Sequence, residues 1–177
     1  LSETDVKAGF VDIVISGAVN WGVDGDKTLS VRITDVAGNL GGIGGNLVVK
    51  LDTTAPGSLG KALLITSAIG GLNPEEKNVT MTVVANLDGL ALQLGDAIEL
   101  LIDGKPFTNA TRHVLTAEEI AAKSANISIA AADSAWGSVD GDRQISARVV
   151  DSAGNVGVAG GTLKVSLDSV TPASQNV

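Results

Sequence analysis

The sequence predicts an all-β chain, an antiparallel β-sandwich repeated in tandem. Three observations predict it: a long internal repeat, short alternating apolar runs between Gly and Asp turns, and a core vocabulary of Val, Ile, Leu and Ala with almost no aromatics.

The repeat sets the frame. Residues 24–56 read DGDKTLSVRITDVAGNLGGIGGNLVVKLDTTAP, and residues 140–172 read DGDRQISARVVDSAGNVGVAGGTLKVSLDSVTP. They align without a gap, so Asp24, Asp26, Arg32, Asp35, Gly38, Asn39, Asp52 and Pro56 fall on Asp140, Asp142, Arg148, Asp151, Gly154, Asn155, Asp168 and Pro172. Upstream, after two small shifts, Trp21-Gly22 falls on Trp136-Gly137, and LSETDV at Leu1 falls on LTAEEI at Leu115. One unit is therefore about 115 residues long. Residues 57–172 are expected to form one complete repeat. Residues 1–56 are expected to be the C-terminal half of another, and 173–177 a linker to a following repeat. Such a half leaves apolar faces open, to be covered by upstream residues, another molecule or strand exchange.

Within 57–172 the strand-like runs come in order: 61–68, 78–86, 97–103, 105–113, 125–132, 143–151 and 161–168, here strands A to G. Alternation is plain in Val79, Met81, Val83 and in Ile145, Ala147, Val149. Seven short strands with Gly and Asp turns predict an immunoglobulin-like sandwich. Residues 1–56 then supply strands E, F and G of their own copy. Thr116 followed by Glu119 predicts a capped helical turn over 116–123, and Ser2 followed by Asp5 a weaker one. Up-and-down strands place the BC, DE and FG loops at one pole. The AB, CD and EF loops share the other with the end of strand G.

Composition narrows the function. The formal net charge is -8, which argues against nucleic acid and anionic membrane surfaces and is compatible with divalent cations. There is no cysteine, which excludes thiolate metal sites, disulfides and thiol catalysis. No apolar stretch is long enough to span a bilayer as a helix. His113, the single histidine, has no recognisable Ser or Asp partner motif, and the chain reads as noncatalytic.

The acidic motifs carry the candidate chemistry. Asp24-Gly-Asp26 and Asp140-Gly-Asp142 fall in the EF loop, where two carboxylates flanking a glycine can converge on a hard cation or simply form a turn. Asp52 and Asp168 end strand G at the same pole, and three carboxylates there would repel without a cation or a basic group among them. Asp35 to Asn39 and Asp151 to Asn155 fit a type I turn at the FG connection, with cation binding as the other reading. The expected cation is calcium, held by Asp24, Asp26 and Asp52 and completed across a domain junction by Asp151, Asn155 or Asp88, with Asp140, Asp142 and Asp168 as the equivalent set. Trp21 and Trp136 are read as plugs at the lower end of each core, with a sugar platform as the alternative. An ice-binding face would need ranked threonines, and only Thr80 and Thr82 are so placed.

The pattern VDGDxxxxxRxxDxAGN followed by LDTTAP resembles the bacterial immunoglobulin-like repeats of giant surface adhesins, the biofilm-associated and repeats-in-toxin adhesins exported by type I secretion. The resemblance spans both copies. It implies an extender, stacked end to end with neighbouring repeats of the same chain, stiffened by calcium at the junctions and displayed outside the bacterial cell. The stretches 87–96 and 109–123 exceed a minimal repeat and leave a ligand-binding role for those loops. The alternatives are a carbohydrate- or protein-binding module and a noncatalytic domain of an extracellular enzyme.

Overall fold

Alternation of apolar residues builds the larger part of the molecule. The computed structural model describes residues 1–109 and 112–170, and the chain divides into two units, Leu1–Asp52 and Thr53–Val177. In the second unit, β3 (Met81–Asn86) buries Met81, Val83 and Ala85 and leaves the residues between them less covered. β7 (Ser124–Ile129) does the same with Ala125, Ile127 and Ile129, and pairs antiparallel with β3, Met81 opposite Ile129. The second sheet is built on β4 (Ala97–Ile102), which pairs with β8 (Gly141–Val150), which in turn pairs with β9 (Gly160–Leu167), all antiparallel. Ile98, Leu100, Ile145, Ala147, Val149 and Val165 face the β3–β7 layer across a shared core. Each fully buried aliphatic side chain contributes roughly 1.5–3 kcal/mol. The result is an immunoglobulin-like antiparallel β-sandwich.

Two strands differ from the expectation. Strand A is not a continuous strand over 61–68. Leu59 and Leu63 bond Gly161 of β9, Leu64 bonds Val84 of β3, and a 3-10 turn (Thr66–Ala68) follows before Leu72 runs parallel beside β9. The segment serves both sheets in turn, so neither holds it for more than a few residues. The expected strand D over 105–113 is instead an interrupted edge of β4. Asp103 and Gly104, both at positive φ, turn the chain into β5 (Lys105–Pro106), and β6 (His113–Val114) resumes the pairing. Between them, residues 98 to 101 of β4 face residues 106 to 113, so the edge segment is four residues longer than the strand it borders.

Short-range signals fold as expected. α3 (Ala117–Ala122) carries the expected reciprocal capping box between Thr116 and Glu119; a further one, not expected, joins Asn73 and Glu76 in α2 (Pro74–Lys77). α2 ends at Lys77 and its C-cap Asn78 takes the first residue of the expected strand B, which begins only at Met81.

The first unit contains α1 (Glu3–Ala8), capped by Ser2 and Asp5, and a hairpin of β1 (Gly25–Val31) with β2 (Gly44–Leu51). These match α3, β8 and β9 element for element. Expected strand E is missing: residues 10–16, aligned with β7, are not a strand. In the second unit β7 pairs only with β3, and residues 1–52 contain no counterpart of β3. No residue of 1–52 is buried.

Candidate metal-binding pole

Cross-links place the loops at the poles expected of them. At one end of the second unit, the buried Asp96 accepts N–H groups from Gln93 (2.8 Å) and Ser152 (3.0 Å), tying the BC loop to the FG turn. At the same end Asp88 pairs with Lys123 at 2.8 Å and Lys61 at 3.6 Å. The Lys123 hydrogen bond, more than any other contact, holds the Asp88 carboxyl below the usual carboxylate range. At the other end Asp140 accepts from both the backbone N–H and the hydroxyl of Ser169, at 3.1 and 3.0 Å. The end of β9 and the EF loop therefore meet there. Lys77 of α2 donates to the Gly137 carbonyl at 3.0 Å beside them.

The acids of this second pole are already engaged by the chain itself, Asp142 by a cation and Asp140 and Asp168 mainly by hydrogen bonds. Asp140 is held below the usual carboxylate range first by the Ser169 hydroxyl, then by the Ser169 N–H, with the Lys77 ammonium adding a smaller pull. Asp142 lies on β8, not in the loop, and pairs with Lys164 of β9 at 2.7 Å, the main cause of its lowered pKa. Asp168 accepts the Val170 N–H at 2.9 Å. Carbonyls that could serve a hard cation are engaged too. Arg143 donates to Val139 (2.7 Å), Trp136 (3.1 Å) and Asp142 (3.1 Å). Among the described residues no three acidic or histidine side chains converge in a way that could hold a metal ion. The set Asp140, Asp142, Asp168 as arranged does not fit calcium as a closed site. A basic group, one of the two remedies expected for clustered carboxylates, is present at this pole.

In the first unit Asp26 lies on β1 opposite Lys50 of β2, and Asp24 and Asp52 flank the open end of the hairpin. The aligned residues at Lys77, Arg143 and Lys164 differ: Lys27 stands for Arg143, Val48 for Lys164, and no segment of 1–52 corresponds to α2.

Each FG turn is closed by its own aspartate and asparagine. Asp151 accepts from the backbone N–H groups of Ala153 (3.0 Å) and Asn155 (2.8 Å), and its other oxygen accepts from the Asn155 amide at 2.9 Å. Asp35 and Asn39 repeat the geometry at 2.7 Å for both bonds. The Asn side-chain bond is the first cause that lowers both aspartate pKa values. With both carboxylate oxygens so engaged, the motif works as a turn.

Other expected features resolve by burial. Trp136 is fully buried, edge-on to Phe107 at 5.5 Å between ring centres, so it plugs the core and offers no sugar platform. The 87–96 stretch packs inward through Leu87, Leu90 and Leu92. The 109–123 stretch holds β6 and α3, and Ile120 packs on the core, although residues 110 and 111 lie outside the described residues, as does 173–177.

Sequence reasoning missed the polar ties. Asp133 is buried and accepts N–H groups from Thr108 (3.2 Å), Asn109 (2.9 Å) and Ala135 (2.9 Å), holding the bulge of the edge strand to the turn that carries Trp136. The available signal was an aspartate three residues before the buried tryptophan, at an N-cap spacing. Glu99 joins Arg148 and Arg112 across the second sheet. His113 meets Glu119, the capping-box acid, at 2.8 Å.

No protein-family model matches the chain, and no curated protein is similar to it. Several solved structures match in part, two ice-binding adhesins among them. A Ca2+-stabilized adhesin that helps an Antarctic bacterium reach out and bind ice is 20% identical, over 84% of this chain and 33% of its own, with a TM-score of 0.39. A 1.5-MDa bacterial ice-binding adhesin is 20% identical over 81% of this chain and 40% of its own, with a TM-score of 0.34. This chain thus spans less than half of either, and superpositions at that level carry no functional weight.

Proposed function

We propose that this chain is a stretch of structural extender repeats from a large adhesin on the outer surface of a bacterium, supporting cell adhesion and biofilm formation. In this reading residues 57–172 are one repeat, residues 1–56 are the C-terminal half of another, and the partners of each repeat are its neighbours in the same chain. The observation that carries it is the repeated module itself. The same capped helix, hairpin and Asp–Asn turn recur at aligned positions in both copies. A rod made of tandem sandwiches needs that repetition, whereas a binding module or an enzyme does not. The buried Trp136 removes one of the two tryptophans that would have favoured a sugar-binding module, and Trp21 is half-buried.

Calcium belongs to this reading as a weak ligand of the acids at the pole where the linker leaves: Asp24, Asp26 and Asp52 in the first copy, Asp140, Asp142 and Asp168 in the second. In the second copy it must compete with Lys77, Arg143 and Lys164. Affinity on the order of 10⁻⁴ to 10⁻³ M follows for exposed oxygen donors, enough for occupancy outside a cell and not within it. Thermal melting of the chain in chelator and in millimolar calcium tests this. The melting temperature is expected to rise with calcium. Lys77→Ala with Lys164→Ala is expected to enlarge the rise by removing the competing cations. Identical melts for the parent and the double variant in both buffers contradict a role for calcium.

A further inference from the structure

The apolar side of the first unit is open where the second unit's is closed. Val31 and Ile33 are 49% and 65% exposed, while the aligned Ala147 and Val149 are fully buried. Val11, Ile13 and Ile15 are 43%, 64% and 45% exposed, against 1%, 2% and 0% for the aligned Ala125, Ile127 and Ile129. This last register is anchored by the helix ends, Gly9 and Lys123, both in the left-handed conformation. Between α1 and β1 lies an open groove of about 570 Å³ lined by Leu1, Val6, Phe10, Ile13 and Arg32. Arg32 has no carboxylate partner among the described residues, whereas the aligned Arg148 has Glu99.

One glycine identifies what the face is shaped for. In the second unit a Cβ on Gly160 would collide with the carbonyl oxygen of Leu59, because strand A lies directly on β9 there. Gly161 next to it exchanges backbone hydrogen bonds with Leu59 and Leu63, both 3.0 Å. The aligned residue in the first unit is Gly44. A Cβ there meets nothing within 4 Å, and the backbone is not in a conformation that demands glycine. Glycine inside a strand weakens it unless another backbone must come close. Nothing within residues 1–52 gives Gly44 such a reason.

We propose that the open face of Leu1–Asp52 is a docking surface for one kind of occupant: a first half-repeat with the pattern of residues 57–114, whose strand A lies across Gly44 and Gly45. This rests on the reading of residues 1–56 as half of a repeat, and adds the register and the contact that gates it. The occupant's counterpart of β3 pairs with residues 10–16 and makes them a strand. Its counterpart of Glu99 reaches Arg32.

The test grafts residues 57–114 directly ahead of Leu1 on the full chain, which keeps register because Leu115 aligns with Leu1. Amide hydrogen exchange then reads residues 10–16. The graft is expected to slow their exchange by about a hundredfold or more, as cooperative strand pairing does. Gly44→Val in the graft is expected to abolish that slowing, while leaving exchange in β1 and β2 of the ungrafted chain unchanged. Three results overturn the proposal. If the graft leaves 10–16 exchanging as before, both the docking and the half-repeat reading fail. If it protects them whether or not Gly44 is replaced, the half-repeat reading stands and the strand A register is wrong. If the ungrafted chain sediments as a dimer with 10–16 protected, a second copy is the occupant instead.

Discussion

Residues 25–51 and 141–167 align without a gap and fold into the same antiparallel hairpin, down to the shared irregularity one residue after Leu29 and Ile145. One hairpin is half of a packed sheet. The other stands without a buried residue. The difference separates structure that a sequence specifies locally from structure that it specifies only with a distant partner. Helix caps, the Asp–Asn turn and the hairpin form in both copies, because every hydrogen bond they need comes from within a few residues or from an adjacent strand. β7 forms in one copy only, because its bonds and its apolar neighbours come from β3, some forty residues earlier. Apolar alternation in Val11, Ile13 and Ile15 is therefore a capacity to be a strand, realised by pairing.

The largest effect that would sharpen this contrast is a core truncation placed in both copies. Ile127→Ala is expected to destabilise the second unit by about 2–5 kcal/mol in urea unfolding. Ile13→Ala, at the aligned position, is expected to change stability by less than about 0.5 kcal/mol. Equal losses would mean that residues 10–16 are packed after all.

How much could be read beforehand follows the same division. The sandwich, strands C, E, F and G of residues 57–172 and the capped helix at Thr116 were legible, since periodicity and capping are carried by neighbouring residues. Strand A was misjudged because a segment that alternates between two sheets leaves the same apolar pattern as one that stays in a single sheet. The edge strand was misjudged because the departure of Thr108 and Asn109 from it depends on Asp133, which comes from another loop. At the pole, Asp140, Asp142 and Asp168 were legible as a cluster of charge. The cations beside them were not, because Lys77 arrives from the AB loop and Arg143 reads, in sequence, as one more strand residue.

Asp133 gives a second comparison of intermediate size. Asp133→Ala leaves three N–H groups without their acceptor and is expected to cost about 2 kcal/mol and to loosen the bulge. The aligned residue in the first copy is Ala18, so that copy has no equivalent tie to lose. A stability loss below about 0.5 kcal/mol would show that water replaces the carboxylate.

The smallest expected effect should be identical in the two copies. Asp35 and Asp151 have carboxyls held below the ordinary carboxylate range, first by the side chains of Asn39 and Asn155. For a lowered pKa the stabilisation is fully present above the ordinary value and is lost as pH falls through the folded one. The Asn39 and Asn155 side-chain amide signals, followed by NMR, are expected to shift together in this acid window. Separated transitions would mean that packing around the second turn, and not the turn alone, sets its strength.

The central claim is that aligned residues are strand in one copy and open chain in the other for want of a pairing partner. Amide hydrogen exchange of the unaltered chain addresses it most directly. The amides of Ala125, Ile127 and Ile129 are expected to exchange only through unfolding of the second unit, while those of Val11, Ile13 and Ile15 exchange at rates near those of an unstructured peptide. Comparable protection of the two sets would contradict the account.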